Sequence, residues 1–222
     1  MTAKDMFSHR VSILTGHYGT GKTEVSVNLA LALAAEGEQV MLADLDIVNP
    51  YFRSRERRPL LEKAGVRVIS SSQACSDADV PALPAELLTI LENREIRGIL
   101  DIGGDPVGAR VLARFQPKIV QEDYQLIFVL NANRPEVRDA ESAAAYLRSI
   151  EAVTGLTCSG LVNNTHLCGE TTPAEIRKGV ALAQEVSRQT GIPILCHTAE
   201  RRFLESLSDL GEPVFPKIGR AH

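Results

Sequence analysis

Eight residues near the N-terminus constrain this chain more than any other stretch: Gly16, His17, Tyr18, Gly19, Thr20, Gly21, Lys22 and Thr23. They fit the phosphate-binding pattern G-x-x-x-x-G-K-[ST], and they stand where that pattern has physical meaning. Residues 10–15, just before them, are largely aliphatic and β-branched, the pattern of a buried strand. After them, Val25, Leu29, Ala32 and Leu33 recur at the spacing of one helix face. Between strand and helix, glycines let backbone N–H groups turn inward around phosphate oxygens. The helix start adds unpaired N–H groups and the positive end of its dipole. Lys22 is then placed to reach the β- and γ-phosphates, and the Thr23 hydroxyl to ligate magnesium.

The rest of the chain continues the alternation. Strand patterns cover residues 39–43, 66–70, 98–100, 124–130, 157–162 and 192–196, and helical patterns lie near 22–35, 53–64, 84–94, 136–154 and 173–190. The expected fold class is α/β: a mainly parallel, doubly wound sheet with helices on both faces, in one domain over residues 1–222. Hydrophobic residues at 44% and charged residues at 23% suit a soluble globular chain. A net charge of −4 gives no general basic footprint, so nucleic acid is not an expected partner. The densest basic cluster, Arg53, Arg55, Arg57 and Arg58, reads as a solvated helix face paired with Glu56 and Glu62. Residues 1–10 lack the apolar core of a secretory signal, and the longest apolar run, 29–35, is too short to span a bilayer. Cys75, Cys158, Cys168 and Cys196 form no C-x-x-C pair, so a cytoplasmic protein with reduced thiols is expected.

In a doubly wound sheet, ligands bind outside the carboxyl ends of the strands. The polar clusters of this chain follow its strand patterns, so they are expected to converge on one site. Asp101 ends a strand and precedes Gly103 and Gly104, as a magnesium-binding Walker-B aspartate would. One of Asp44 and Asp46 faces the phosphates and orients the attacking water. Asn163 and Asn164 offer amide edges to adenine, and no Asn/Thr-Lys-x-Asp tetrapeptide of guanine-specific sites follows a strand. ATP is therefore the expected nucleotide. His166 with Cys168, and Cys196 with His197, read as loop histidines and small core thiols rather than a metal site.

Together these residues resemble the MinD/ParA group of P-loop ATPases, the CobQ/CobB/MinD/ParA nucleotide-binding domains, over about residues 10–197. The resemblance implies the P-loop NTPase fold, with ATP and Mg2+ as ligands. It implies catalytic roles for Lys22, Asp46 and Asp101, with Asp46 orienting the water. Magnesium would be held by Thr23, Asp46 and Asp101, partly through water. Asn163 resembles the asparagine that contacts adenine, and His197 lies at the strand end that lines the adenine pocket. A nucleotide-dependent homodimer and an unidentified protein partner are also family expectations. One departure stands inside the loop: His17 and Tyr18 replace the Lys-Gly of the family, whose signature lysine reaches across a dimer to the partner's phosphates. Arg53 or Arg55 is a candidate substitute as an arginine finger. Pro213 and Pro216 exclude the basic amphipathic helix that ends membrane-cycling members. The implied function is a magnesium-dependent ATPase whose nucleotide state switches a partner interaction. The alternatives are a small-molecule kinase or ligase of the dethiobiotin synthetase or cobyrinate amidation type, with Tyr51, Arg53 and residues 77–84 around a second pocket, and a non-hydrolysing regulator.

Overall fold

The computed structural model describes residues 1–45, 54–70 and 83–217. Asp46, Tyr51, Arg53, Cys75 and most of 77–84 lie outside the described residues. Strands and helices alternate in chain order: α1 (Ala3–Met6), β1 (Val11–Thr15), α2 (Lys22–Ala35), β2 (Gln39–Asp44), α3 (Ser54–Lys63) and β3 (Arg67–Ser70). They continue with α4 (Leu83–Glu92), β4 (Ile96–Asp101), α5 (Pro106–Ala109), α6 (Gln116–Ile119) and β5 (Tyr124–Leu130). The chain then forms α7 (Ala140–Thr154), β6 (Cys158–Asn163), α8 (Pro173–Thr190), β7 (Ile194–Glu200) and β8 (Val214–Lys217).

The described strands form one parallel sheet in the order β3-β2-β4-β1-β5-β6-β7-β8. Both faces are covered, and the side-chain alternation of each strand shows it. On β5, Leu126, Phe128 and Leu130 enter one core while Ile127 and Val129 enter the other. The first core is closed by α4, α7 and α8 through residues such as Leu87, Leu147 and Val186. The second is closed by α2 and α3, through Val25, Leu29, Leu33 and Leu61, with Phe7 from the N-terminal segment. After β1 the chain winds toward β2 and β3 on one side; from β5 onward it winds to the other side. The reversal puts a crevice at the carboxyl end of β1, where this class of sheet binds its ligands.

Two differences from the sequence reading matter for the site. β8 is an added strand, in the stretch where sequence pattern showed only two prolines; Pro216, without an N–H, is tolerated because β8 is an edge strand. α7 starts at Ala140 rather than near 136, because the Asp139 side chain caps it by accepting the Ser142 amide at 2.8 Å. Phe128 is fully buried in the central region of the sheet. Phe128→Ala is expected to cost about 3–5 kcal/mol of unfolding free energy, read by urea denaturation.

Candidate functional site

The loop between β1 and α2 is built from positions where only glycine fits. Gly16 has φ +141° and Gly21 has φ +86°. A Cβ on Gly16 would fall 2.4 Å from the Val129 carbonyl oxygen, and one on Gly21 would fall 2.2 Å from Asn164 Nδ2. The loop carbonyls are held by protein donors. His17 O accepts the Thr20 amide at 3.2 Å and the Thr20 hydroxyl at 2.9 Å, and it lies 3.4 Å from Lys22 Nζ. Gly19 O accepts from Arg134 Nε at 2.8 Å, and Thr20 O from Asn164 Nδ2 at 2.8 Å. Lys22 itself is only 6% exposed, and Thr23 beside it is partly exposed. α2 begins at Lys22, so the first-turn amides that follow the loop have no intrahelical acceptor.

His17 and Tyr18 face different ways. Tyr18 is exposed. His17 turns onto its own chain: its ring stands edge-on to Tyr146 with centroids 5.0 Å apart, and Nδ1 lies 3.7 Å from the Glu136 carboxylate.

Asn164 ties the loop to the far edge of the sheet. Its Oδ1 accepts from the Thr198 hydroxyl at 2.5 Å and from Lys217 Nζ at 2.8 Å. An ammonium only donates, so Lys217 fixes which end of the amide is oxygen and leaves Nδ2 to face the loop. Lys217 is nine-tenths buried and also lies 3.4 Å from the carboxylate of Glu24 in the first turn of α2.

Register places the acidic groups. Asp101 pairs with Leu14 on one side and with Asp44 on the other. Both aspartates lie on the sheet face covered by α2, because Leu42 and Ile99, two residues earlier on each strand, belong to that core. Asp101 is 2% exposed. Gly104, three residues on, lies against the loop: a Cβ there would come 2.8 Å from Lys22 Nζ. Asp46 lies outside the described residues.

On the other side of the start of α2 opens a cavity of about 370 Å³, with Glu24, Thr165, His166, Thr198, Arg202 and Lys217 in its wall. Asn163 and His197 do not line it. Both are fully buried behind it, with Asn163 Nδ2 3.3 Å from His197 Nδ1 and Asn163 Oδ1 accepting the Thr165 amide at 3.0 Å. They shape the loop that forms the wall. Sequence spacing does not single out Arg134, Tyr146 or Lys217: an arginine just past a strand, a helical tyrosine and a lysine after a proline carry no pattern of their own. Of the basic cluster, Arg58 donates to Val68 O at 2.9 Å and lies 3.7 Å from Glu62; Arg53 is outside the described residues.

His166 sits in the cavity wall with Nδ1 accepting the Cys168 amide at 3.3 Å. Burial, then the nearby Lys217 cation, pushes its pKa down to about 4, with Glu24 opposing and Arg134 adding to the drop. An unfolded histidine protonates near pH 6.5, so between about pH 6.5 and 4 the unfolded chain binds more protons than the folded one. The stability present above pH 6.5 is therefore lost as pH falls toward 4, by about 3 kcal/mol in all. His166→Gln is expected to flatten that part of the stability curve, read by urea denaturation across the pH series.

Comparison with known proteins points to the same P-loop fold. Residues 6–55 match a family model described as ParA, NUBPL iron-transfer P-loop NTPase. The cytosolic Fe-S cluster assembly factor cfd1 of Emericella nidulans is 36% identical over 95 residues, covering 43% of this chain and 26% of that protein. The iron-sulfur cluster carrier protein of Escherichia coli K12 is 50% identical over 40 residues, 18% of this chain and 11% of that protein. The matched part thus spans about a quarter or less of these curated relatives. The solved structure of chloroplast FtsY from Physcomitrella patens aligns with a TM-score of 0.56 at 17% identity, covering 83% of this chain and 56% of that one, a likeness of fold. With a glycine loop at the switch point, a buried lysine at the start of the next helix and an aspartate in register beside them, the chain has the fold of a P-loop NTPase and is similar, over its N-terminal part, to the MinD/ParA-like group.

Proposed function

We propose that the chain binds ATP with magnesium at this loop and hydrolyses it slowly, and that the bound nucleotide governs contact with another protein. The observation that carries the reading is the loop between β1 and α2. Its carbonyls are satisfied by protein donors, and Lys22 and Asp101, both nine-tenths buried, stand at its edge. A lysine and an aspartate brought to one strand end beside a glycine loop are the two charges that a triphosphate and its cation call for. The glycine cradle, which any Cβ would fill, fits phosphate oxygens.

In this reading the first-turn amides of α2 and the Lys22 ammonium hold the β- and γ-phosphates and stabilise the charge that builds as the γ-phosphoryl leaves. Thr23 and Asp101 would hold the magnesium, which neutralises phosphate charge. Asp46 is assigned to orient the attacking water, in line with the leaving oxygen. The cavity between the segments after β6 and β7 would take the base, with Thr165, His166 and Thr198 as its nearest wall. Among the described residues no helix is long and apolar enough to cross a membrane, and one relative is named as cytosolic; a cytoplasmic setting is part of the proposal. The relatives' names favour a partner that handles iron–sulfur clusters, although this chain has no C-x-x-C pair of its own.

Lys22→Ala is expected to weaken ATP binding by about 10- to 100-fold, measured by calorimetric titration with magnesium present. Asp101→Asn is expected to keep most nucleotide affinity and to lower phosphate release by about 100-fold. Unchanged ATP affinity in Lys22→Ala would overturn the reading.

A further inference from the structure

We propose that Tyr146, on α7, is a positioning residue that fixes the Gly104 peptide against the phosphate loop and so lets the site tell a triphosphate from a diphosphate. The proposal rests on the reading that a nucleoside triphosphate binds at this loop, and it assigns a residue that the loop pattern does not indicate. The Tyr146 hydroxyl donates a hydrogen bond to the Gly104 carbonyl. Gly104 in turn stands close beside Lys22 and Tyr18, where a terminal phosphate would meet the loop. A Cβ at that position would lie 2.8 Å from Lys22 Nζ, 2.8 Å from the Tyr18 amide nitrogen and 2.9 Å from Tyr18 Cα. The Gly104 backbone therefore closes one side of the cradle, and its distance from Lys22 is set by whatever holds it.

Tyr146 is built to hold it rigidly. α7 is packed into the core through Ala143, Leu147 and Ile150, so the base of the side chain cannot drift. The ring rests near Phe128, centroids 6.3 Å apart, and meets the His17 ring edge-on at 5.0 Å. One side chain thus touches the loop before α2 through His17 and the segment after β4 through Gly104. The phenol stays protonated and able to donate: burial, then the Asp105 and Glu136 carboxylates, pushes its pKa up to about 12. On the other side of Gly104, Asp105 Oδ1 accepts the Gly108 amide at 2.5 Å and anchors the segment to α5. Gly104 is held from both directions, and the hydroxyl of Tyr146 is the tether on the side of α7.

Tyr146→Phe removes the tether and keeps the ring contacts. The affinities of the wild-type and variant chains for ATP and for ADP, each with magnesium, are measured by calorimetric titration, with melting temperatures alongside. The expected result is ATP binding weakened about three- to tenfold, ADP binding unchanged and melting temperature within a few degrees. A purely structural role would lower the melting temperature or weaken both nucleotides alike. Equal ATP-to-ADP affinity ratios in wild type and variant overturn this inference while leaving the nucleotide reading intact. A wild-type chain that binds neither nucleotide overturns both.

Discussion

The side-chain amide of Asn164 holds the phosphate loop to the rest of the sheet, and much of the site depends on it. On one end it donates to the Thr20 carbonyl; on the other it accepts from Thr198 and from the nine-tenths-buried Lys217. A buried ammonium costs several kcal/mol unless it is paired and hydrogen-bonded. Lys217 meets that demand only when the Asn164 oxygen and the Glu24 carboxylate are both in place. Four stretches far apart in sequence, around residues 20, 164, 198 and 217, must therefore assemble together. The loop reaches its glycine-only geometry as part of that assembly, with its carbonyls already committed to protein, so little reorganisation is left for an anion to pay.

The same economy explains how His17 and Tyr18 fit a loop whose relatives are read as carrying a lysine. His17 stays with its own chain, against Tyr146 and 3.7 Å from Glu136. The group at this position thus braces the loop from α7 and from the segment that leads into it. The exposed Tyr18 ring is the part of the loop turned to solvent. An imidazole ring set edge-on to an aromatic ring is a packing element, where a lysine would carry its charge on a long flexible stem.

Much of the fold was legible in the sequence, for physical reasons. Strands buried on both faces read as short apolar runs, and the alternation of β5 between two cores is the same fact seen from the structure. The loop was legible because its glycines and lysine are spaced by the chemistry they serve. β8 was not, since an edge strand of four residues with a proline has no periodicity to find. Asn163 and Asn164 were read together, but strand alternation sends neighbouring side chains to opposite sides: Asn163 goes into the interior with His197, and Asn164 goes to the loop. Tyr146 was hidden in a helix whose pattern spoke only of core packing, because its hydroxyl partner is a carbonyl 42 residues away.

The most direct measurement is amide hydrogen exchange on the intact chain, with and without magnesium-ATP. Protection gained at residues 16–24, at 101–105 and in the cavity-forming segments 165–171 and 198–202, with the loop and cavity responding together, is the expected result. Protection absent from residues 16–24, or gained only at a distant surface, would contradict nucleotide binding at the carboxyl end of β1.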